Sequence, residues 1–263
     1  MSNDRTVALF DEFIGLVRDF ASRNNIGYAD YSKVMKYLIS VGEADEWPLW
    51  LDAFLESSVN TASYGTGDWT DSAIEGPYYK PGAPLLVDKP ARLPMRDDEP
   101  GERMIFRGKV VSPDGKPVAG ALLDVWHSTN DGIYSFFDPV LPDEYLLRGR
   151  IVVEDDGAVE FESIEPVPYE IPKDGPTGYL MNEVLGRHSW RPAHLHFKVT
   201  ADGFRPLTTQ LYFRNDPYLD SDCCSAVKDS LILDVEKIDL GGDAAALVEF
   251  TFVLQPVSET AAA

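Results

Sequence analysis

With 263 residues, 44% of them hydrophobic and 25% charged, the chain is long enough for one large domain or two modest ones, and its composition is not that of a disordered chain. Its 44 acidic against 23 basic residues give a net charge of -21, which disfavours nucleic acid and anionic membranes as partners and leaves any anionic substrate dependent on a local cation. The two cysteines are adjacent, the first residues form no apolar signal core, and no apolar run approaches the roughly 18 residues of a membrane span, so a cytoplasmic protein without membrane insertion is expected.

The first part of the chain predicts helices. Phe10, Phe13, Ile14, Val17 and Phe20 share one helical face, with Asp11, Glu12, Arg18 and Asp19 outside it. A second helix is expected from Asp30 or Ser32 to Val41, burying Val34, Leu38 and Val41 and ending at Gly42. A third covers about Glu46 to Val59, with Pro48 tolerated in its first turn. The Gly-, Pro-, Asp- and Ser-rich stretch from Tyr64 to Pro100 reads as loop with short strands. From Met104 onward, strands are expected at 104–111, 120–127, 149–154, 158–163, 194–200, 207–214 and 247–254, with hairpin turns at Pro113-Asp114-Gly115 and Asp155-Asp156-Gly157. This pattern predicts an antiparallel β-sandwich behind a helical region, in the α+β to mainly β class. The expected division is a helical region 1–63, a connecting region 64–103 and a sandwich 104–263.

Within the expected strand at 194–200, His194 and His196 alternate with Leu195, Phe197 and Val199. Residues i and i+2 of a strand share a face, so the two imidazoles point one way while the apolar residues enter a core. Two neutral imidazoles on a rigid strand form half of a metal site, suited to zinc, copper or iron. The competing reading is a strand with two polar residues on a solvent face. Adjacent Cys223 and Cys224 are poor further ligands, because neighbouring side chains on extended backbone point apart, and the acids are too numerous to choose among by spacing. Among 12 tyrosines, two stand out by setting. Tyr134 lies in Asp131-Gly132-Ile133-Tyr134-Ser135-Phe136-Phe137, and Tyr169 lies between the prolines of Pro166-Val167-Pro168-Tyr169-Glu170-Ile171-Pro172. A phenol with an ordinary pKa of about 10 stays deprotonated at neutral pH only on a strongly Lewis-acidic ion, which favours iron(III).

At this point the chain resembles the intradiol ring-cleavage dioxygenases, and among them the actinobacterial chlorocatechol 1,2-dioxygenase type. The resemblance rests on Ile74-Glu75-Gly76-Pro77-Tyr78-Tyr79, Asp124-Val125-Trp126-His127-Ser128-Thr129, Gly132-Ile133-Tyr134-Ser135, Val167-Pro168-Tyr169-Glu170-Ile171-Pro172, Gly175-Pro176-Thr177-Gly178 and the run from Gly186 to His196. It continues through Pro206-Leu207-Thr208-Thr209-Gln210 and Asp222-Cys223-Cys224, and at the helical start through Glu46-Trp47-Pro48-Leu49-Trp50-Leu51-Asp52-Ala53. It therefore covers nearly the whole chain.

The resemblance implies one non-haem iron(III) per subunit, held by Tyr134, Tyr169, His194 and His196. It implies cleavage of a catechol by O2 between the hydroxyl-bearing carbons, giving a cis,cis-muconate. Tyr169 is the ligand expected to leave and take a catechol proton. Arg191 is implied as the local cation that stabilises charge on the substrate, and Gln210 as a polar neighbour of it. His127 and His188 are excluded as ligands, and Trp126 and Trp190 are read as core. Pocket positions implied by matching are Leu49, Asp52, Ala53, Ile74, Gly76, Pro77, Tyr78 and Cys224. Tyr78 departs from the phenylalanine of many relatives, so the preferred ring substituent stays open among chlorocatechol, catechol, methylcatechol and hydroxyquinol. The N-terminal helices are expected to form a homodimer, and the resemblance admits a phospholipid between them. Two readings of other classes compete: a non-catalytic β-sandwich binding module, and a zinc hydrolase built on the histidine pair.

Overall fold

A computed structural model describes residues 3–142, 144–240 and 242–257. By compactness the chain divides into two units, one up to Trp47 and one from Pro48 onward. The boundary thus falls earlier than the expected 63, and the second unit joins the connecting region to the sandwich.

In the first unit, α1 spans Asn3–Arg23 and α2 spans Tyr28–Glu43. Helix α2 begins earlier than its periodicity predicts. The Gly27 carbonyl accepts the Tyr31 N–H at 2.9 Å, and Asp30 Oδ2 accepts the Gly27 N–H at 3.3 Å, which satisfies the free groups of the first turn. The chain leaves α2 through Asp45, whose φ of 56° lies in the left-handed region. The apolar stripes behave differently from expectation. Val41 is fully buried, but Phe10, Phe13, Phe20 and Val34 are each more than half exposed. An amphipathic pattern shows that a face is built for burial, and within one chain these faces stay open.

The second unit opens on one helical run in three segments: α3 at Trp47–Leu51, a π-helical turn at Asp52–Glu56, and α4 at Ser57–Tyr64. Pro48 sits in the first turn, where its missing N–H costs nothing. The π turn displaces the helical register by one residue where Asp52 and Ala53 lie, a distortion that recurs at functional sites.

The sandwich contains two five-stranded sheets. One has the order β1 (Ala91–Arg92), β5 (Ala158–Ile164), β2 (Arg103–Val111), β12 (Ala244–Val253), β11 (Val235–Asp239). The other has the order β10 (Ile232–Leu233), β9 (Leu207–Phe213), β8 (His194–Thr200), β3 (Leu122–Trp126), β4 (Arg148–Val152). A two-residue ladder pairs β6 (Tyr169–Glu170) with β7 (Trp190–Arg191). A short helix, α5, spans Pro176–Tyr179.

All seven expected strands exist, but the sheets are mixed, not purely antiparallel: β12 with β2, β1 with β5 and β10 with β9 run parallel. Strand β12 closes the domain beside β2, which opens it, and so long a connection leaves the direction free. The two glycine turns also form, with Gly115 and Gly157 at φ 79° and 83°. They carry the chain from one sheet to the other, since β2 and β3 lie in different sheets, as do β4 and β5.

Between the sheets, Leu195, Phe197 and Val199 from β8 pack with Leu123 and Val125 from β3 and Phe106, Phe161 and Phe252 from the facing sheet. The Phe106 and Phe161 rings stack at 4.9 Å. Burial of three such side chains contributes about 1.5–3 kcal/mol each, which fixes the register of β8 and with it the face its histidines occupy.

Candidate metal centre

Sheet register assembles the centre from elements far apart in sequence. Strand β8 is central, and His196 pairs with Gln210 of β9 on one side and Trp126 of β3 on the other. Two residues away on the same face, His194 pairs with Tyr212. On the small ladder, Tyr169 of β6 faces Arg191 of β7, and Arg191 leads through Pro192 and Ala193 into β8.

Four side chains converge. His194 Nε2 and His196 Nε2 are 3.0 Å apart, and Tyr134 Oη is 3.3 Å from His196 Nε2. Tyr169 completes the group, its ring centroid 5.6 Å from those of both Tyr134 and His194. The two histidines are 2% and 1% exposed and the two tyrosines 3% and 6%. Their surroundings fix both orientation and protonation. His194 Nδ1–H donates to the Pro192 carbonyl at 2.7 Å, which leaves Nε2 with its lone pair facing inward. His196 lies flat against the Trp126 indole, with centroids 4.6 Å apart and planes 10° from parallel.

Burial, followed by the Arg191 charge, pushes His194 down to about 3. Burial, followed by His194 and Arg191, holds His196 well below the usual range. Both imidazoles are therefore neutral. Burial raises both phenols, Tyr134 to about 12 and Tyr169 well above its ordinary value.

Two neutral imidazole nitrogens in contact, beside two buried phenol oxygens, repel one another unless a cation or proton lies between them. Donors around a single ion at about 2.1 Å stand roughly 3 Å apart. The set therefore fits a metal ion, and its hard oxygens with borderline nitrogens favour iron(III) over softer ions.

Gly132, at φ 76°, lets Tyr134 and Tyr169 approach: a Cβ there would lie 2.6 Å from Tyr169 Cβ. Gly132→Ala is expected to lower stability by about 1–3 kcal/mol through overpacking and to displace Tyr169. Urea denaturation together with iron retention after dialysis checks this expectation.

Arg191 is 2% exposed and fully engaged. Its Nε donates to Asp222 Oδ1 at 3.0 Å, and its Nη2 donates to Asp222 Oδ2 at 3.2 Å and to Gln210 Oε1 at 2.8 Å. Nη1 lies 3.4 Å from His194 Nε2, which turns the guanidinium towards the converging donors. Gln210 also accepts from Tyr212 Oη at 2.7 Å and donates through Nε2 to the Ile74 carbonyl at 2.8 Å.

A sequence model described as Dioxygenase matches residues 74–256. The chain is 64% identical over 255 residues to a chlorocatechol 1,2-dioxygenase of Rhodococcus opacus, spanning 97% of this chain and 99% of that one. This chain belongs to the intradiol ring-cleavage dioxygenase family. It is 38% identical to a chlorocatechol 1,2-dioxygenase of Cupriavidus pinatubonensis over 99% of both chains. A crystal structure of 3-chlorocatechol 1,2-dioxygenase from Rhodococcus opacus superposes with a TM-score of 0.89 at 42% identity, covering 97% of this chain and 100% of that one.

Beside the converging donors, this intradiol family member gathers Leu49, Ala53, Ile74, Tyr78 and Cys224 into one apolar cluster with Tyr134 and Tyr169. Tyr78 does more than line a wall: its ring stacks on Tyr134 with centroids 4.6 Å apart. Gly76, at φ 70°, runs beside His196, where a Cβ would stand 3.8 Å from Cε1. Pro77 is exposed and adds no packing to the cluster. His127 bonds to the Ser128 carbonyl and Ser163 Oγ, and His188 to Ser221 Oγ.

Three positioning residues escape the sequence reading. Asp222 anchors Arg191. Trp126, read as plain core, is the platform for His196. Arg148 is 1% exposed and donates to the Tyr78 carbonyl at 2.8 Å and to Ser135 Oγ and O at 3.0 and 3.1 Å, which secures the segment carrying Tyr134.

Asp52 is pushed up to about 7, first by burial, then by the Glu56 carboxylate and a hydrogen bond with it; Glu75 adds to the shift and Arg191 opposes it. Glu56 cannot turn away, since its Oε1 accepts the Glu75 N–H at 2.8 Å. The native state thus keeps a proton that the unfolded chain releases at about pH 4. The stabilisation from Asp52 is therefore fully present below about pH 4 and is lost as pH rises through about 7. Asp52→Asn is expected to flatten this part of the stability curve, measured as urea midpoints between about pH 4 and 8. Equal slopes for both proteins would show that Asp52 is ionised in the native state.

Proposed function

We propose that the protein is a non-haem iron(III) dioxygenase that cleaves chlorocatechols between their two hydroxyl-bearing carbons, adding both atoms of O2 to give chloro-cis,cis-muconates. The observation that carries this reading is the convergence of Tyr134, Tyr169, His194 and His196 beside a buried cation, Arg191. Those four residues would hold one iron(III) per subunit. When bound, the ion supplies Lewis acidity that keeps phenolates deprotonated and orients a catecholate towards O2.

The side chains supply the rest. Tyr169 Oη is the atom assigned to take a proton from the incoming catechol, because it sits on a ladder of only two residue pairs whereas Tyr134 is clamped under the Tyr78 ring, and a departing phenolate is a base. Arg191, fixed by Asp222 and Gln210, holds a full positive charge against charge developing on the ring. Ile74, Ala53 and Leu49 exclude water along an apolar wall, and Gly76 leaves space for a flat ring beside His196. Asp52, Tyr78 and Cys224 complete the pocket in this reading. The polarisable Cys224 sulfur, 5% exposed, suits contact with a chlorine substituent.

Among the described residues no helix is long and apolar enough to cross a membrane. The exposed apolar faces of α1 and α2 support assembly as a homodimer, in which a lipid chain would find apolar side chains to lie against, and the protein is read as cytoplasmic. Light scattering against a variant carrying Phe10→Glu and Phe13→Glu tests the dimer.

The function is tested by the visible spectrum of the iron-loaded enzyme, followed by a 3-chlorocatechol titration without oxygen. A broad tyrosinate-to-iron band that shifts on addition is expected. Absence of any band after iron loading would favour the binding module. Steady-state rates with chlorocatechol, catechol and hydroxyquinol then fix the substrate class, and chlorocatechol as the poorest of them would overturn the assignment.

A further inference from the structure

Cys223 and Cys224 lie immediately after the anchor of Arg191, and their Sγ atoms are 3.9 Å apart. Neighbouring side chains diverge on extended backbone, but here the chain turns. The Ser225 N–H donates to the Asp222 carbonyl at 2.9 Å, and Ser225 has a φ of 51°. The turn brings both thiols and an Asp222 carboxylate oxygen within 4.8 Å of one another. Two thiolates bound at about 2.3 Å on a tetrahedral ion stand about 3.8 Å apart, which is close to the spacing already present.

We propose that Asp222, Cys223 and Cys224 form a second metal site, selective for a soft divalent cation of the zinc or cadmium type, and that filling it inhibits the enzyme by loosening Arg191. The site does not compete for iron(III), because thiolates select soft ions whereas phenolates and imidazoles hold the hard one. On binding, two S–H bonds break, two metal–sulfur bonds form, and two protons go to solvent, with no change of oxidation state. The sulfur of Cys223 gives up its contact with the Ser189 carbonyl at 3.4 Å. Cys223 is partly exposed and provides the entry, whereas Cys224 is 5% exposed.

The inhibitory link lies in the carboxylate. Asp222 Oδ1 already accepts from Arg191 Nε and Cys224 N, and Oδ2 accepts from Arg191 Nη2 and Ala226 N. Neither oxygen has capacity to spare, so ligating an ion breaks at least one bond to Arg191. The guanidinium also faces a new positive charge across Asp222.

The activity readout rests on the function proposed above; the metal readout does not. Iron-loaded enzyme is titrated with cadmium without oxygen, following thiolate-to-cadmium absorption in the ultraviolet, proton release and iron content, and the ring-cleavage rate is then read on samples of each titration point mixed with substrate in air. One cadmium per chain, two protons released, iron retained and activity lost in parallel are expected, with activity restored by a chelator. Cys223→Ser is expected to lose the absorption and the inhibition while keeping the basal rate, and Cys223→Ala to behave alike. A cadmium band that persists in both variants, or inhibition accompanied by iron release, would overturn the second site. Enzyme inactive before any cadmium is added would refute the dioxygenase reading and leave the metal result standing.

Discussion

Arg191→Gln is expected to lower kcat by about 10²–10³-fold, the cost of removing one preorganised charge from a water-excluded site. It is expected to destabilise the fold as well. The Arg191–Asp222 pair is 3% and 2% exposed at the side chains, so removing the guanidinium strands a buried carboxylate. Breaking one side of such a pair costs about 3–5 kcal/mol, a large share of a typical 5–15 kcal/mol total. Burial alone would raise the Asp222 pKa, but Arg191 and the N–H groups of Ala226 and Cys224 more than offset it and hold the carboxyl below its ordinary value. The stabilisation from Asp222 is therefore present above about pH 4 and lost as pH falls below that. The two consequences separate in a double variant. Arg191→Met with Asp222→Asn removes both charges at similar volume and keeps an oxygen for the Ala226 and Cys224 N–H groups, a replacement that is often near neutral for stability. Its urea midpoint is expected to recover while kcat stays depressed. Recovery of kcat along with stability would show that Arg191 acts only as a structural support.

The parts of this site that could be read from sequence are those with a local physical cause. Strand β8 was legible because Leu195, Phe197 and Val199 alternate with the histidines, and alternation dictates facing. The tyrosines had no such signal. Tyr134 sits in a turn and Tyr169 on a two-residue ladder, so only the motifs around them marked them out. The pairing of Tyr169 with Arg191, and of His196 with Trp126 and Gln210, is a property of register between distant strands. For Asp222 the difficulty was number: one acid among 44 carries no mark of its partner. For Cys223 and Cys224 the expected divergence assumes extended backbone, whereas the turn at Ser225 brings the two sulfurs to 3.9 Å without making them ligands of the histidine site. In α1 and α2 the apolar stripes were legible, whereas a helical period says nothing about what covers a stripe.

Tyr134→Phe and Tyr169→Phe are expected to fail in different ways, because their settings differ. Tyr134 is clamped: Tyr78 stacks on its ring at 4.6 Å, and the buried Arg148 guanidinium stands 5.7 Å from its centroid while bonding to the next residue, Ser135. Such a locked donor suits a permanent ligand. Tyr169 lies on a ladder of only two residue pairs, and among the described residues no ring stacks flat on it as Tyr78 does on Tyr134, which gives it fewer restraints. Tyr134→Phe is accordingly expected to weaken iron retention by more than the roughly 10–100-fold that outer-shell changes cost. Tyr169→Phe is expected to retain more iron, to lose about 10²–10⁴ in kcat, and to shift the pH dependence of kcat/KM, since the oxygen assigned to receive the catechol proton is gone. The measurements are iron per chain after dialysis and pH–rate profiles for both variants. Equal iron loss with unchanged profiles would mean that the two phenols serve as interchangeable ligands and that the proton goes elsewhere. Unequal loss in the expected order would tie the division of labour to packing, with the rigid tyrosine holding the ion and the freer one moving the proton.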